Sequence, residues 1–165
     1  MSALLVIALL VTNAWIGAWG PPSLNTSATC TLGAARSIDI SVSIWVAASG
    51  TQLLDIIQIG AMVRPDGSVR YFAAWGNGSP MQPGSSYVQI DLGPANRGAH
   101  AYRVALAGDI WSLSIDGRTV RRVPDNFRHW RLVRSSAKTE AEGAGDTLGG
   151  TRAAPSWCRY AGKGW

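Results

Sequence analysis

Residues 43–76 read SIWVAASGTQLLDIIQIGAMVRPDGSVRYFAAWG and predict the fold more strongly than any other part of the chain. The largely apolar run Leu53–Ile59 has the length and the isoleucine content of a buried strand. Arg64–Gly67 has the Pro-Asp-Gly order of a tight turn, and Ser68–Trp75 returns as a second strand. Gln58 lies inside the apolar run, where a buried amide without hydrogen-bond partners would cost about 1–3 kcal/mol. Gln58 is therefore either a structural hydrogen-bonding residue or a group directed at a ligand.

The chain after Pro22 continues this pattern of short strands and turns. Ser37–Val46 alternates apolar and polar residues with the period of a half-buried strand. The pair Asp116-Gly117 between two strand-like runs is typical of a β-hairpin. Further strands are predicted at 87–92, 101–106, 110–115, 119–123, 128–133, 137–142 and 156–160. Since no long helical periodicity occurs, we predict an all-β protein, a two-sheet antiparallel β-sandwich or jelly roll.

The N-terminal segment is apolar from Ala3 to Val11 and mostly apolar to Trp19, with no basic residue ahead of the run. This length suits the apolar region of a signal peptide better than a complete membrane span. We therefore assign residues 1–20 to a signal peptide, or to a signal anchor if they are not cleaved, and residues 21–165 to one β-sandwich domain. A buried first helix is the alternative, which the lack of polar periodicity disfavours. The protein is expected to be secreted or extracytoplasmic, and membrane-anchored only through an uncleaved N-terminal segment.

The two cysteines of the chain are Cys30 and Cys158. An even number of cysteines in an exported chain indicates a disulfide, which would join the first strand of the domain to the last. Two buried free thiols are the alternative.

Charge and composition limit the chemistry that the chain can perform. The formal net charge is +5, and arginines concentrate between residues 118 and 134. Such a basic face attracts nucleic acid, anionic lipid or acidic wall polymer, or else it keeps a sheet edge solvated. No nucleic-acid-binding motif accompanies the charge, so no specific nucleic-acid partner is predicted. With two histidines, His100 and His129, and no closely spaced cysteine pair, we predict neither a metal site nor another cofactor.

Glu140 and Glu142 are the two glutamates of the chain, and they lie in a predicted strand with Lys138. Strand alternation places these three side chains on one face. A carboxylate on a sandwich face can be held near neutrality by burial and by a second carboxylate, and it can then act as a general base. A solvated strand end leading into the Gly-rich loop 143–150 is the alternative, and the residues alone favour it.

Three blocks of sequence resemble, in the same order, blocks of the glutamic peptidases, or eqolisins. They are WVAASG at 45–50, IQIG at 57–60 and YFAAW at 71–75. The resemblance implies the family's fold, a β-sandwich related to the concanavalin-like lectins. It also implies a catalytic pair in which Gln58 matches the strand glutamine, and Glu140 or Glu142 matches the later glutamate. The glutamate would activate water and the Gln58 amide would donate to the oxyanion, which implies an acid-active endopeptidase with a polypeptide substrate.

A binding module without catalysis is the competing hypothesis. Trp and Tyr side chains on a sandwich face can stack on sugar rings or anchor a peptide. In the predicted strand 128–133, Trp130 shares a face with Arg128, a combination that suits an acidic glycan. Core packing is the alternative for Trp45, Trp75 and Trp111. The expected partner is a polysaccharide or another anionic polymer, and a monomer is expected. The candidate substrate-binding residues are Trp45, Tyr71, Trp75, Trp130 and Arg131.

Overall fold

β-Strands provide the regular secondary structure of the residues that the computed structural model describes, which are 14–20, 24–33, 35–38, 41–49, 56–76, 86–125, 134–141 and 157–160. In chain order the strands are β1 (Ala14–Gly20), β2 (Asn25–Thr31), β3 (Val42–Ser49), β4 (Ile56–Val63), β5 (Val69–Gly76), β6 (Val88–Pro94), β7 (Ala99–Ala107), β8 (Ile110–Ile115), β9 (Arg118–Pro124), β10 (Arg134–Ala141) and β11 (Trp157–Tyr160). Within these ranges there is no helix long and apolar enough to cross a membrane.

The strands form two antiparallel sheets. One sheet has six strands in the order β1-β10-β3-β4-β5-β6, and the other has five in the order β11-β2-β7-β8-β9. One buried apolar cluster contains residues of both sheets, so the sheets pack face to face. The predicted all-β, two-sheet antiparallel sandwich is confirmed.

Strand alternation divides the side chains of the six-stranded sheet between two faces. Ile44 and Val46 of β3, with Ile57 and Ile59 of β4, belong to the core between the sheets. The residues between them in sequence point the other way, and a second buried cluster lies there. We call this second side the outer face of the six-stranded sheet. The described residues of this buried cluster are Trp45, Ala47, Met62, Phe72 and Ala74.

The alternation that predicted a half-buried strand over Ser37–Val46 was wrong in its boundaries and in its burial. The strand begins at Val42, and Ile38 is 65% exposed. Residues Val42–Ala48 are all buried because the core covers one face of β3 and the outer cluster covers the other. The alternation of polar and apolar residues therefore did not indicate which side chains of this central strand are exposed to solvent.

The turns predicted from short motifs are confirmed. In the first, the amide of Gly67 donates to the carbonyl of Arg64 at 2.9 Å, and the loop joins β4 to β5. In the second, Asp116 and Gly117 have φ angles of 50° and 79° between β8 and β9. Positive φ at both central residues is the geometry of a type I′ hairpin turn. The strand predicted at 128–133 lies outside the described residues.

The first and the last of the described strands each pair at an edge of a sheet. Residues 14–20, which the sequence analysis placed in a signal peptide or anchor, form β1 and pair with β10 at an edge of the six-stranded sheet. A chain cleaved after Gly20 would lack this strand, and the assignment of residues 1–20 stays a prediction. At the other end, β11 pairs with β2, with Cys158 directly opposite Cys30.

Candidate functional site

Gln58 projects from the centre of the outer face. Its neighbours across the strands are Ala47 on β3 and Ala74 on β5, two small residues that leave room for the longer amide side chain. Gln58 is 8% exposed, and its Nε2 donates to the hydroxyl of Tyr87 at 3.2 Å. The Tyr87 hydroxyl in turn donates to Oε1 of Gln89 at 3.2 Å. The buried amide is thus connected by a side-chain relay to the exposed residue Gln89 of β6.

Glu140 lies on the same outer face, at the far end of β10. Its register partner is Ser43, and its carboxylate accepts a hydrogen bond of 3.2 Å from the indole Nε1 of Trp45. Trp45 is 6% exposed, so the indole is held within the sheet surface and its N–H is directed along the face to the carboxylate. The outer face therefore contains both residues of the predicted pair, each bonded to a neighbour of its own.

The two predicted catalytic groups are far apart within that face. Gln58 of β4 is paired with Ala47 of β3, which is paired in turn with Ser136 of β10. Glu140 lies four residues further along β10 than Ser136. Ideal strand geometry gives about 13 Å along β10 and about 10 Å across two strand spacings, hence about 16 Å between the Cα atoms of Gln58 and Glu140. This is the separation of the Cα atoms, and each side chain is hydrogen-bonded to a different neighbour, Gln58 to Tyr87 and Glu140 to Trp45, rather than to the other. Glu142 lies outside the described residues.

Ser136 is the residue that the register places in line with Gln58. It is fully buried, and no described residue forms a hydrogen bond with its hydroxyl. A hydroxyl is a poor base compared with a carboxylate, so this position does not replace the missing partner of Gln58. The register, rather than the sequence order, thus decides which β10 residue lies nearest to the amide.

The predicted substrate-binding aromatic residues do not lie together. Trp45 is on the outer face, whereas Tyr71 and Trp75 of β5 pack against the core between the sheets. The difference follows from alternation along β5, since Phe72 and Ala74 take the outer positions. Trp130 and Arg131 lie outside the described residues.

A pocket at the β6 side of the outer face was not predicted. It has a volume of about 220 Å³. Asp91 accepts hydrogen bonds there from Arg70 Nη2 at 2.9 Å and from Arg64 Nη2 at 2.8 Å. The hydrogen bond from Arg70, followed by that from the Gly93 amide, lowers the pKa of Asp91 to about 2, so the carboxylate is ionised at ordinary pH. The alternation of Gln89 and Asp91 along β6 could have indicated that both side chains lie on one face of the sheet. Their hydrogen-bond partners could not be predicted from the sequence. The pocket is lined by Met62, Arg64, Arg70, Tyr71, Phe72, Gln89, Ile90 and Asp91.

A polar cluster near the β8–β9 hairpin contains the one described histidine. His100 Nδ1 is 2.7 Å from Asp116 Oδ2, and the Tyr71 hydroxyl is 3.1 Å from His100 Nε2. Burial raises the pKa of Asp116, but the hydrogen bonds from His100 and the Ala101 amide outweigh it, so the net shift is downward. Burial raises the pKa values of Tyr71 and Tyr102 beside it. These contacts join β5, β7 and the hairpin, and they describe a structural role for His100.

Metal binding finds no support in the described residues, where no group of three or more His, Cys, Asp or Glu side chains is arranged to hold an ion.

Comparisons with known proteins connect this chain to others through its fold. No protein-family model matches the sequence, and no curated protein matches it. Scytalido-glutamic peptidase, solved with a peptide-based transition-state analogue, has a TM-score of 0.51 and 18% identity, covering 90% of this chain and 74% of that one. An endo-acting O-glycanase structure, from human gut microbiota that use such enzymes to initiate mucin breakdown, has a TM-score of 0.51 and 11% identity over 82% of this chain. Crh5 transglycosylase in complex with NAG has a TM-score of 0.50 and 14% identity over 79% of this chain.

The present chain spans 56% of the O-glycanase chain and 53% of the transglycosylase chain, little more than half of each. Identities this low establish a shared β-sandwich fold and nothing about the chemistry. The resemblance to glutamic peptidases is confirmed in that sense.

Proposed function

We propose that this protein is an exported β-sandwich module that binds a saccharide in the outer-face pocket and does not cleave it. The observation that carries the proposal is that two sets of hydrogen-bonded side chains lie at this pocket. The relay from Gln58 ends there at Gln89, and the ionised Asp91 lies on the same strand. The Gln89 side chain can bond to sugar hydroxyls beside apolar lining residues such as Phe72, while Asp91 fixes the positions of Arg64 and Arg70 in the lining. Four of the eight lining residues are charged or carry an amide, and polar groups with fixed positions orient a ligand in a small-molecule site.

The structural neighbours support a polymeric ligand in general terms. The names of those with this fold describe a peptidase, an O-glycanase and a transglycosylase, so the sandwich is used on both peptide and glycan. The net charge of +5 favours a ligand that carries some negative charge.

The test is binding to an array of soluble oligosaccharides by calorimetry, comparing the wild-type chain with Gln89→Ala. Gln89 is exposed, so its truncation should leave the fold intact, and the loss of one hydrogen bond should weaken binding about fivefold. Ser112→Ala, at a half-buried site in the other sheet, is the matched control and should bind as the wild type does. No saccharide bound, or equal affinity for wild type and Gln89→Ala, would reject the proposal.

A glutamic endopeptidase is the second candidate, because Gln58 and Glu140 share the outer face. For catalysis, the side chains of two residues whose Cα atoms lie about 16 Å apart by strand geometry would have to meet, and each is already hydrogen-bonded to another residue. We therefore expect no cleavage of denatured protein substrate at any pH from 2 to 7. Cleavage that both Gln58→Ala and Glu140→Gln abolish, with folding unchanged, would establish the peptidase and remove the non-catalytic proposal.

Export and a disulfide belong to the same proposal. Cys30 is fully buried, and its register partner is Cys158. Directly opposed residues of an antiparallel pair have Cα atoms about 4.5–5.5 Å apart, which is within the range that a disulfide spans. We propose that the two cysteines are joined in an oxidising extracytoplasmic environment.

A further inference from the structure

A second pocket, of about 210 Å³, lies where the end of β5 meets the edge strand β9. Gly76 forms part of its wall, with a φ of 136°, and a Cβ there would be 2.6 Å from Tyr87 Cα. The close backbone approach at this glycine shapes the pocket. It shares no lining residue with the outer-face pocket. The pocket is lined by Trp75, Gly76, Ser86, Arg121, Arg122, Val123 and Pro124.

Arg121 has an unusual place for a charged residue. Its register partner on β8 is the core residue Leu113, so Arg121 lies on the face of β9 that is directed at the other sheet. Its guanidinium carbon is 5.3 Å from the centre of the Trp75 ring, a cation–π contact between the two sheets. The contact with the indole restrains the guanidinium of a residue that lines the pocket.

Positive charge dominates this strand. Arg118, Arg121 and Arg122 are all exposed, and β9 contains no acidic residue. Charge on an edge strand also deters pairing with another chain, and any of the three arginines would serve that role equally well. That general role does not account for a guanidinium packed on an indole inside a concave site, next to a second arginine.

We infer that this pocket binds the anionic group of an acidic polysaccharide, with the carboxylate or sulfate on the Arg121 guanidinium, the sugar ring beside the indole edge of Trp75, and Arg122 adding positive charge to the lining. Guanidinium groups pair with carboxylate and with sulfate-like anions through two parallel hydrogen bonds. The pocket is smaller than the 300–1,000 Å³ or so of a typical ligand site, so it suits one ring rather than an extended chain. A single aromatic wall with two cations therefore favours a charged sugar over a nucleic-acid strand, which needs a longer track of stacking groups.

The experiment measures binding of the full chain to polygalacturonate, which presents carboxylates, and to dextran sulfate, which presents sulfates. Unmodified dextran is the neutral control ligand, and poly-glutamate tests an acidic peptide. Arg121→Gln should weaken binding to at least one acidic polysaccharide by tenfold or more, and Arg122→Gln, which removes a charge from the lining, should weaken it by about threefold or more. Arg118→Gln makes the same charge change on the same strand outside the pocket, and it should change the affinity by less than twofold.

Two further readouts separate a built site from general attraction. Arg121→Lys keeps the charge but loses the planar guanidinium with its paired N–H donors, so this variant should bind nearly as weakly as Arg121→Gln. The indole N–H signal of Trp75, assigned from a conservative Trp75→Phe variant, should shift when the ligand is added to the wild type.

The inference is overturned if no acidic polysaccharide binds, or if Arg118→Gln and Arg121→Gln weaken binding equally, since charge alone would then explain it. Tighter binding of poly-glutamate than of both polysaccharides would assign the pocket to acidic peptides instead. Circular dichroism and thermal unfolding of each variant establish that the fold is kept. If Arg121→Gln does not fold, Arg122→Gln and Arg121→Lys make the same comparison.

Discussion

Gly60 is a position at which β4 lies too close to β3 for any side chain. A Cβ at Gly60 would press against the carbonyl oxygen of Ile44 and would lie 2.8 Å from the Cα of Trp45. Both contacts are to backbone, which cannot rotate away as a side chain does. The resemblance to the glutamic peptidases marked this glycine as part of a block, but the steric reason for it is apparent only from the paired strands.

We expect Gly60→Ala to lower the free energy of unfolding by at least about 3 kcal/mol, because β3 and β4 must separate to accept the methyl group. Urea denaturation followed by tryptophan fluorescence measures this loss. Ala101→Ser adds an atom at an exposed strand position and should change stability by less than about 0.5 kcal/mol. Equal stability of Gly60→Ala and the wild type would contradict the close approach of the two strands.

Asp91 is the residue whose ionisation most directly connects stability to pH. Its pKa is lowered from 3.8 to about 2, with the hydrogen bond from Arg70 as the largest cause. A carboxyl group with a depressed folded-state pKa stabilises the protein fully above the unfolded value, and that stabilisation is lost as the pH falls through the folded value. The relevant window is therefore from about pH 4 down to about pH 2.

Asp91→Asn should accordingly be less stable than the wild type at pH 7, and the difference should shrink as the pH falls from 4 to 2. Urea denaturation at pH 7, 4 and 2 measures it, at low salt because the group is partly exposed. Asp109→Asn, at an exposed position of the β7–β8 turn, serves as the control. A stability difference that stays constant between pH 7 and pH 2 would contradict the assignment to this ion pair.

In the β8–β9 hairpin, one residue, Asp116, both favours the turn and forms hydrogen bonds to β7. Asp116 accepts a positive φ of 50° in the turn, which Asp and Asn tolerate better than other side chains. The same carboxylate accepts a hydrogen bond of 2.8 Å from the Ala101 amide and lies 2.7 Å from His100 Nδ1. The turn residue thereby attaches the hairpin to the start of β7.

Asp116→Ala should lower the free energy of unfolding by about 2 kcal/mol, since it removes charge-assisted hydrogen bonds and strains the turn. Asp116→Asn keeps the turn preference and one acceptor, so it should lose no more than about half as much. Chemical denaturation of both variants beside the wild type measures the two losses. Equal losses for the two variants would mean that the carboxylate charge, rather than the turn, carries the contribution.

At the scale of the whole molecule, the pairing of β11 with β2 brings residues from the two ends of the chain together. A bond between Cys30 and Cys158 would close nearly the entire domain into one loop. In the chain-entropy model such a loop contributes about 5 kcal/mol at most, chiefly by restricting the unfolded state.

We expect reductant to lower the midpoint of urea unfolding of the oxidised wild type and to leave the Cys30→Ala, Cys158→Ala double variant unchanged. Mass spectrometry after alkylation without reduction should show no modified thiol in the exported protein. Two alkylated cysteines in the folded, exported protein would show that the thiols are free.

Sequence alone was sufficient for features that depend on neighbouring residues. The Pro-Asp-Gly turn before Ser68 and the Asp116-Gly117 hairpin were predicted correctly because each needs only a few residues with the right backbone preferences. The class of the fold followed from many short strands without helical periodicity. Strand limits were less certain, as β3 shows, because buried central strands lose the polar alternation that marks their ends.

The tertiary structure alone decided which side chains meet. Gln58 and Glu140 were correctly expected in strands. However, β3 lies between their strands, and the register places Glu140 four residues along β10 from the position in line with Gln58. Trp75 and Arg121, 46 positions apart in the sequence, are in contact instead, and they belong to different sheets. Local preferences set the conformation of each strand, whereas its partner, register and opposing sheet are set by the burial of the whole apolar surface, which no short stretch of sequence contains.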